Sequence, residues 1–267
     1  MNIFSLENKV AIVTGALGLL GKQHSAALAN AGANVVVADM DEKACIEFAT
    51  TLGTNHLGIK MDVTDEKSLE ASRDIIMKKY NSIDVLVNNA AINDKFEDAS
   101  NILTLSKFEN YPLDLWQRSL QVNITGVFLC SRVFGMVMAN QNSGSIINIA
   151  STYGIVAPDQ NLYLDENNNQ TFYKTASYPT TKGAVISFTR FLAAYWGAKN
   201  VRVNSLSPGG VENNHENFFV NNYSKKTPLG RMSSPTDYHG AIVFLASDAS
   251  SYMTGANLVV DGGFTAI

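Results

Sequence analysis

Cysteine is almost missing from this chain of 267 residues. Cys45 and Cys130 lie far apart, match no zinc spacing and fit a reducing compartment. Histidine is nearly as scarce. His24, His56, His215 and His239 are scattered outside any metal-ligand pattern, so no metal site is expected. Surplus positive charge is lacking too: 20 Lys and Arg against 24 Asp and Glu give a formal net charge of −4. That excludes the electrostatic footprint that nucleic acid or an anionic membrane requires. The sequence shows no apolar run long enough to span a bilayer. Its opening residues, MNIFSLENKV, lack a basic region followed by an apolar one, so no secretory signal is expected. No stretch rich in Pro, Gly or Ser divides the chain, and no internal repeat appears. The absences together predict a single-domain cytoplasmic protein whose partner is neither nucleic acid nor membrane.

What is present is ordinary globular composition, 46% hydrophobic and 16% charged. Short apolar runs at 10–13, 34–38, 56–61, 83–87, 145–149, 201–206 and 257–260 read as strands. Helical patterns lie between them at 19–31, 42–52, 66–80, 113–139, 180–198 and 237–246. Continuous apolar strands separated by amphipathic helices predict an α/β fold, a doubly wound parallel sheet of about seven strands with helices on both faces. Two segments break the rhythm. Residues 159–177 are polar and Asn-rich, and 207–234 are irregular from Ser207-Pro208-Gly209-Gly210 onward; loops this long serve binding or cover a site.

Gly15, Gly18 and Gly21 fall where the first strand gives way to the first helix. In doubly wound folds that turn holds a dinucleotide pyrophosphate against the helix N-terminus. Gly15 would make the turn, Gly18 would admit the phosphates, and Gly21 would let the helix pack on the sheet. A tight strand–helix turn requires glycine in any case. Asp39 ends the second strand, where a carboxylate can bond the adenosine ribose hydroxyls; Asp39 or Asp41 can equally cap the following helix. A carboxylate there repels a 2′-phosphate, and Ala16, Leu17 and Met40 bring no cation. NAD is therefore expected over NADP.

Thr14-Gly15…Gly21, Asp62-Val63, Asn88-Asn89-Ala90-Ala91, Asn123, Ser151, Tyr178-x-x-x-Lys182, Pro208-Gly209 and Gly255…Asp261-Gly262-Gly263 follow one another in order. With these the chain resembles the short-chain dehydrogenase/reductase family along its whole length, a Rossmann fold. At finer grain it resembles bacterial oxidoreductases of flagellin-glycan and nonulosonic-acid biosynthesis. The resemblance implies cofactor contacts at Gly15, Leu17, Gly18, Leu19, Asp39, Met40, Asp62, Val63, Asn89, Ala90, Ala91, Tyr178, Lys182, Pro208, Gly209 and Val211. It implies Asn123, Ser151, Tyr178 and Lys182 as the catalytic set, and a homotetramer or homodimer. Departures are visible: Gly18 lies one position early, Ala91 replaces a glycine, and the stretch between Ser151 and Tyr178 is about twice the family's usual length.

The chemistry fits those residues. A base that takes a hydroxyl proton near neutral pH must titrate lower than free tyrosine, which does so near 10. A nearby cation lowers that value, and Lys182 stands four residues beyond Tyr178, on the same helical face. Pro179 biases Tyr178 away from helical angles and puts it at the helix entrance. Ser151 would bond the substrate oxygen, and by resemblance Asn123 would hold a water behind Lys182. Tyr195 and Lys199 repeat the spacing but lie about 25 Å further along the helix at 1.5 Å per residue, away from the strand ends that bind ligands. The predicted function is hydride transfer between a nicotinamide cofactor and a secondary alcohol or ketone of a sugar-derived small molecule. Asn161, Asn167, Asn168, Asn169 and Gln170, with Asn213, Asn214, His215 and Asn217, offer amides and an imidazole to such a ligand. Phe218, Phe219 and Tyr223 keep an apolar pocket open. A ketoacyl-type reductase of lipid metabolism and a non-catalytic dinucleotide scaffold remain as alternatives. Residues 159–177 are expected to form part of a substrate lid.

Overall fold

The computed structural model describes residues 2–93 and 101–267. Seven strands and nine α-helices alternate among these residues: β1 (Val10–Thr14), α1 (Leu19–Asn30), β2 (Asn34–Asp39), α2 (Glu42–Leu52), β3 (Leu57–Lys60), α3 (Glu66–Tyr80), β4 (Val85–Asn88), α4 (Ile102–Ser106), α5 (Leu113–Leu120), α6 (Gly126–Gln141), β5 (Gly144–Ile149), α7 (Ser177–Trp196), β6 (Val201–Pro208), α8 (Asn217–Lys226), α9 (His239–Ala246) and β7 (Asn257–Val260). All strand pairs are parallel, in the order β3-β2-β1-β4-β5-β6-β7.

The strands are mainly apolar because both faces of the sheet are covered. Val10, Ile12, Val36, Leu86 and Ile146 face one core with side chains of α3, α6 and α7, among them Leu69, Phe134 and Leu192. Ala11, Val13, Val35, Val87 and Ile147 face the other with α1, α2 and α9, among them Leu28, Cys45 and Ile242. Alternate residues of a strand point to opposite faces, so one apolar run supplies both cores. A buried polar chain ties α7 to the sheet. Asn88 Nδ2 donates to Asn148 Oδ1 at 2.8 Å, and Asn148 Nδ2 to Thr189 Oγ1 at 2.9 Å. The sheet grows in opposite directions from β1 and β4, and this reversal opens the crevice in which such folds bind ligands.

Several expectations are corrected. The 113–139 helix is two helices joined by a π-helical turn, Gln121–Thr125, which carries Asn123. The joined run Leu113–Gln141 is long and apolar enough to cross a membrane by length and composition, contrary to the sequence reading. Its apolar window is 56% buried inside the protein, where Cys130, Val133, Phe134 and Met138 fill one core. Helix α7 starts at Ser177, so Tyr178 and Pro179 both lie in its first turn, where a missing N–H costs no helical bond. The irregular 207–234 stretch contains α8, whose Tyr223 is buried with Leu162, Met232 and Phe264. Tertiary packing creates that helix from a polar segment. Residues 159–177 likewise have structure: a 3-10 turn at Gln160–Tyr163 and an antiparallel bridge between Leu164 and Gln170.

Candidate active site

The glycine turn is built for close approach. Gly15 has φ +61°, and a Cβ there would stand 2.7 Å from the Ala90 Cα. A Cβ on Gly21 would stand 2.1 Å from the Gly15 carbonyl oxygen, so Gly21 closes the turn on itself rather than packing α1 on the sheet as expected. A Cβ on Gly18 would come no nearer than 3.3 Å to protein. Gly18 instead opens on a cavity and heads α1, whose first turn has no side-chain cap and no acidic residue. An uncapped helix N-terminus behind an open glycine suits a pyrophosphate.

Side chains stitch this turn to its neighbours. Thr14 Oγ1 donates to the Val87 carbonyl (3.2 Å) and accepts the N–H groups of Asn89 and Ala90, both at 3.1 Å. Asn89 Nδ2 donates to the carbonyls of Thr14 and Gly15, both at 2.9 Å. Asp39 accepts the Leu17 N–H at 3.0 Å and the Met40 N–H at 2.8 Å. Asp41, not Asp39, caps α2, so Asp39 is left to face the cavity.

Two cavities run along the C-terminal edge of the sheet. The first, about 530 Å³, is lined by Gly15, Gly18, Leu19, Asp39, Met40, Asp62, Val63, Asn89, Ala90 and Ala91. The second, about 680 Å³, is lined by Ser151, Tyr178, Lys182, Pro208, Gly209 and Val211. Leu19, Leu20, Asn89, Ala91 and Ile92 line both and join them into one groove. Sixteen cofactor contacts were expected from the sequence, and only Leu17 fails to line the groove; its N–H holds Asp39 instead. Arg118 from α5 lines the first cavity beside Asp39 and Met40. The sequence reading, which looked for a cation only in the turns, missed it because a helix from elsewhere in the chain delivers it.

The second cavity holds the reactive groups. Tyr178 is half-open to it yet ringed by protein. Burial raises its pKa, and a hydrogen bond with Ser151 works against that rise. Lys182 is buried, its pKa lowered by burial to about 8. Its Nζ donates to the Ile149 carbonyl at 2.7 Å and lies 5.7 Å from the centre of the Tyr178 ring. Burial thus outweighs every influence that would lower the tyrosine in the protein alone, and the Lys182 ammonium is turned to a carbonyl. Asn123 Oδ1 accepts the Ile92 N–H at 2.8 Å, while its Nδ2 donates to the Ile92 carbonyl at 3.0 Å and Thr181 Oγ1 at 3.2 Å. The side chain clamps the groove floor to α7 at Thr181, the residue before Lys182. Tyr195 is exposed, stacks on Phe191 and lines neither cavity, so the repeated spacing carries no chemistry.

The substrate end differs from the expected amide-rich surface. Of the polar residues named from the sequence, Asn213 and His215 line the cavity. Asn167, Asn169 and Gln170 instead build the loop. Asp165 accepts the N–H groups of Asn167 and Asn169, both at 2.8 Å, and Gln170 Nε2 donates to the carbonyls of Gln160 and Phe172. The wall is aromatic: Tyr163 meets Phe172 edge-on at 5.3 Å and Phe219 at 5.2 Å between ring centres. The 159–177 segment also supplies Lys174, whose Nζ lies 4.5 Å from the centre of the Tyr178 ring. Phe218, Phe219 and Tyr223, named from the sequence as an apolar possibility, all line the cavity, whereas Tyr163, Phe172 and Lys174 were not read as part of it.

Comparisons with known proteins agree with this geometry. A family profile described as enoyl-(acyl carrier protein) reductase matches residues 15–265. D-Threitol dehydrogenase of Mycolicibacterium smegmatis is 33% identical over 270 residues, spanning 98% of this chain and 95% of that protein. Trans-4-hydroxycyclohexanecarboxylate dehydrogenase of Sinomonas cyclohexanicum is 36% identical over 267 residues, spanning 97% and 93%. Among solved structures, a gluconate 5-dehydrogenase from Burkholderia cenocepacia, in complex with NADP and tartrate, superposes with a TM-score of 0.87. It is 29% identical and covers 100% of this chain and 98% of that one.

Proposed function

The chain belongs to the short-chain dehydrogenase/reductase family, and on that premise we propose that it is an NAD-dependent oxidoreductase of the CH–OH group of a polyol or sugar-derived secondary alcohol. The observation that carries this reading is the single groove in which an open glycine turn and Asp39 lead to Ser151, Tyr178 and Lys182. The nicotinamide, when bound, accepts or donates the hydride. Gly18 and the head of α1 would hold its pyrophosphate, Asp39 the adenosine ribose, and Lys182 the nicotinamide ribose. Ser151 orients the substrate oxygen by hydrogen bonding, and the Tyr178 phenolate oxygen takes the proton as the alcohol is oxidised. The positive charge of Lys182 favours the phenolate that this transfer needs. Asn123, holding Ile92 and Thr181 together, keeps the groove floor and α7 in register.

NAD is favoured by Asp39, which would face a 2′-phosphate with like charge; Arg118 shares that cavity and sets the opposing influence. The names of the relatives support a small hydroxylated substrate. The family resemblance supports a homotetramer, and buried, unpaired Cys45 and Cys130 support a reducing cytoplasmic setting. The test is a panel of polyols, sugars and hydroxy acids assayed with NAD and NADP by the absorbance of the reduced cofactor. NAD is expected to give the higher kcat/KM; equal or better efficiency with NADP overturns the cofactor assignment. Failure of every alcohol and ketone with both cofactors overturns the activity.

A further inference from the structure

The far end of the substrate cavity is walled by rings. Tyr153, Tyr163, Phe172, Phe218, Phe219 and Tyr223 all line it, and they come from three parts of the chain: the turn after Ser151, the 159–177 excursion and α8. Several of them brace one another. Phe219 lies 5.2 Å from Tyr163 and 6.0 Å from Tyr223 between ring centres, inclined at 36° and 39°, and the His215 imidazole stacks on it at 5.1 Å. Tyr223 in turn stacks on Phe264 at 4.7 Å. The excursion is itself fastened. The Lys174 N–H donates to Gln160 Oε1 at 2.8 Å, and Gln160 Nε2 donates back to the Lys174 carbonyl at 3.1 Å. Polar groups are drawn away from this wall. Tyr223 Oη accepts the Gly210 N–H at 2.6 Å, Tyr153 Oη is buried, and the side-chain amides of Asn169 and Gln170 are occupied within the loop.

We propose that the substrate is a cyclic secondary alcohol, whose saturated ring lies against Phe219 and Tyr163 with its reacting hydroxyl turned to Ser151 and Tyr178. This rests on the dehydrogenase reading above and narrows its substrate class to ring forms. The ring carbinol gives its hydride to the nicotinamide and its hydroxyl proton to the Tyr178 oxygen, and it leaves as the cyclic ketone. An open-chain polyol carries a hydroxyl on every carbon, and each one moved from water to an aromatic face loses a hydrogen bond. A saturated ring keeps its hydroxyls on the rim and turns C–H faces outward. Those faces gain dispersion contact across flat aromatic carbon. A ring also enters with its shape fixed, whereas an open chain loses torsional freedom on binding. The wall adjoins the chemistry directly: the Tyr153 N–H donates to Ser151 Oγ at 3.2 Å. A ring seated on the wall therefore has one edge at the group that orients its oxygen.

The experiment measures kcat/KM with NAD for two matched pairs, cyclohexanol against hexan-3-ol and myo-inositol against D-glucitol, in wild type, F219L and F219Y. Wild type is expected to favour the cyclic member of every pair it oxidises by about tenfold or more. The ratio falls toward one in F219L, which keeps apolar bulk but loses the flat face, and it is retained in F219Y. Y163L repeats the test through the neighbouring ring and replaces F219L if that variant does not fold. Equal or better use of an open-chain member, or a ratio that survives F219L and Y163L alike, overturns the proposal. Calorimetric titration of cyclohexanone and hexan-3-one into the protein with NADH tests the ring site without turnover. Tighter binding of the cyclic ketone, lost in F219L, supports the site even where no alcohol is oxidised and the dehydrogenase reading fails. Equal binding of the two ketones, or none, overturns it.

Discussion

At the scale of single residues, the sequence disclosed whatever acts through its own chemistry. Ser151, Tyr178 and Lys182 meet at one cavity as their spacing implied, and Tyr178→Phe should lower kcat at least a thousandfold with NAD affinity kept, since only the proton acceptor is lost. Tyr195→Phe is expected to leave kcat unchanged, and an assay of both variants checks the assignment. What could not be read was anything delivered through space: Arg118 arrives from a helix and Lys174 from an excursion. His24 adds a prediction of another kind. It is fully buried on α1, and neither ring nitrogen has a hydrogen-bond partner among the described residues. Burial, aided by His239, lowers its pKa from 6.5 to about 4. The folded protein thus keeps it neutral while the unfolded chain protonates near pH 6.5, so stability is complete above that pH and falls as pH drops toward 4. The loss is about 3 kcal/mol at most. Urea midpoints at pH 7 and pH 5 should differ accordingly, and His24→Leu should flatten the difference.

Elements were legible where local pattern and tertiary packing agree. All seven strands lie where apolar runs predicted them, because the central runs serve two cores and the edge runs one. Helix α8 was invisible, since a polar segment becomes helical only by burying Tyr223 against Leu162 and Phe264. The π-helical turn was equally hidden, for its residues read as ordinary helix. The glycine turn can be dissected at this scale. Gly21→Ala forces a Cβ to 2.1 Å from a backbone oxygen and should destabilise the fold by several kcal/mol, on the order expected of overpacking. Gly18→Ala, at 3.3 Å, should leave the melting temperature within a few degrees yet weaken cofactor binding. Thermal melts and cofactor titrations of both variants distinguish a packing glycine from a binding one. Removal of residues 161–170 should cut kcat/KM for the substrate more than tenfold while NAD affinity persists, because Tyr163 of the cavity wall goes with it; unchanged kinetics in a folded variant would reduce the segment to a surface excursion.

For the whole molecule, parallel strands and a reversal of strand order place the groove before any side chain is considered. The surface carries a second message. Phe128, Met136, Phe191 and Tyr195 are exposed on α6 and α7, with the rings of Phe188, Phe191 and Tyr195 stacked in a row. A continuous apolar strip of this kind is suited to a self-complementary contact across a two-fold axis. Light scattering at micromolar concentration should report a tetramer, and Phe191→Glu should shift it toward smaller species. A wild-type monomer would refute the assembly.

The bridge between Leu164 and Gln170 closes a small hairpin, and beyond it Asp165 bonds Asn167 and Asn169 within the tip itself. The Gln160–Lys174 clamp lies on the inner side of that bridge. Residues 165–169 are therefore insulated from the catalytic centre by two successive fastenings. They form a handle, where a fluorophore or an affinity peptide can be grafted a short distance from the substrate without disturbing the residues that meet it.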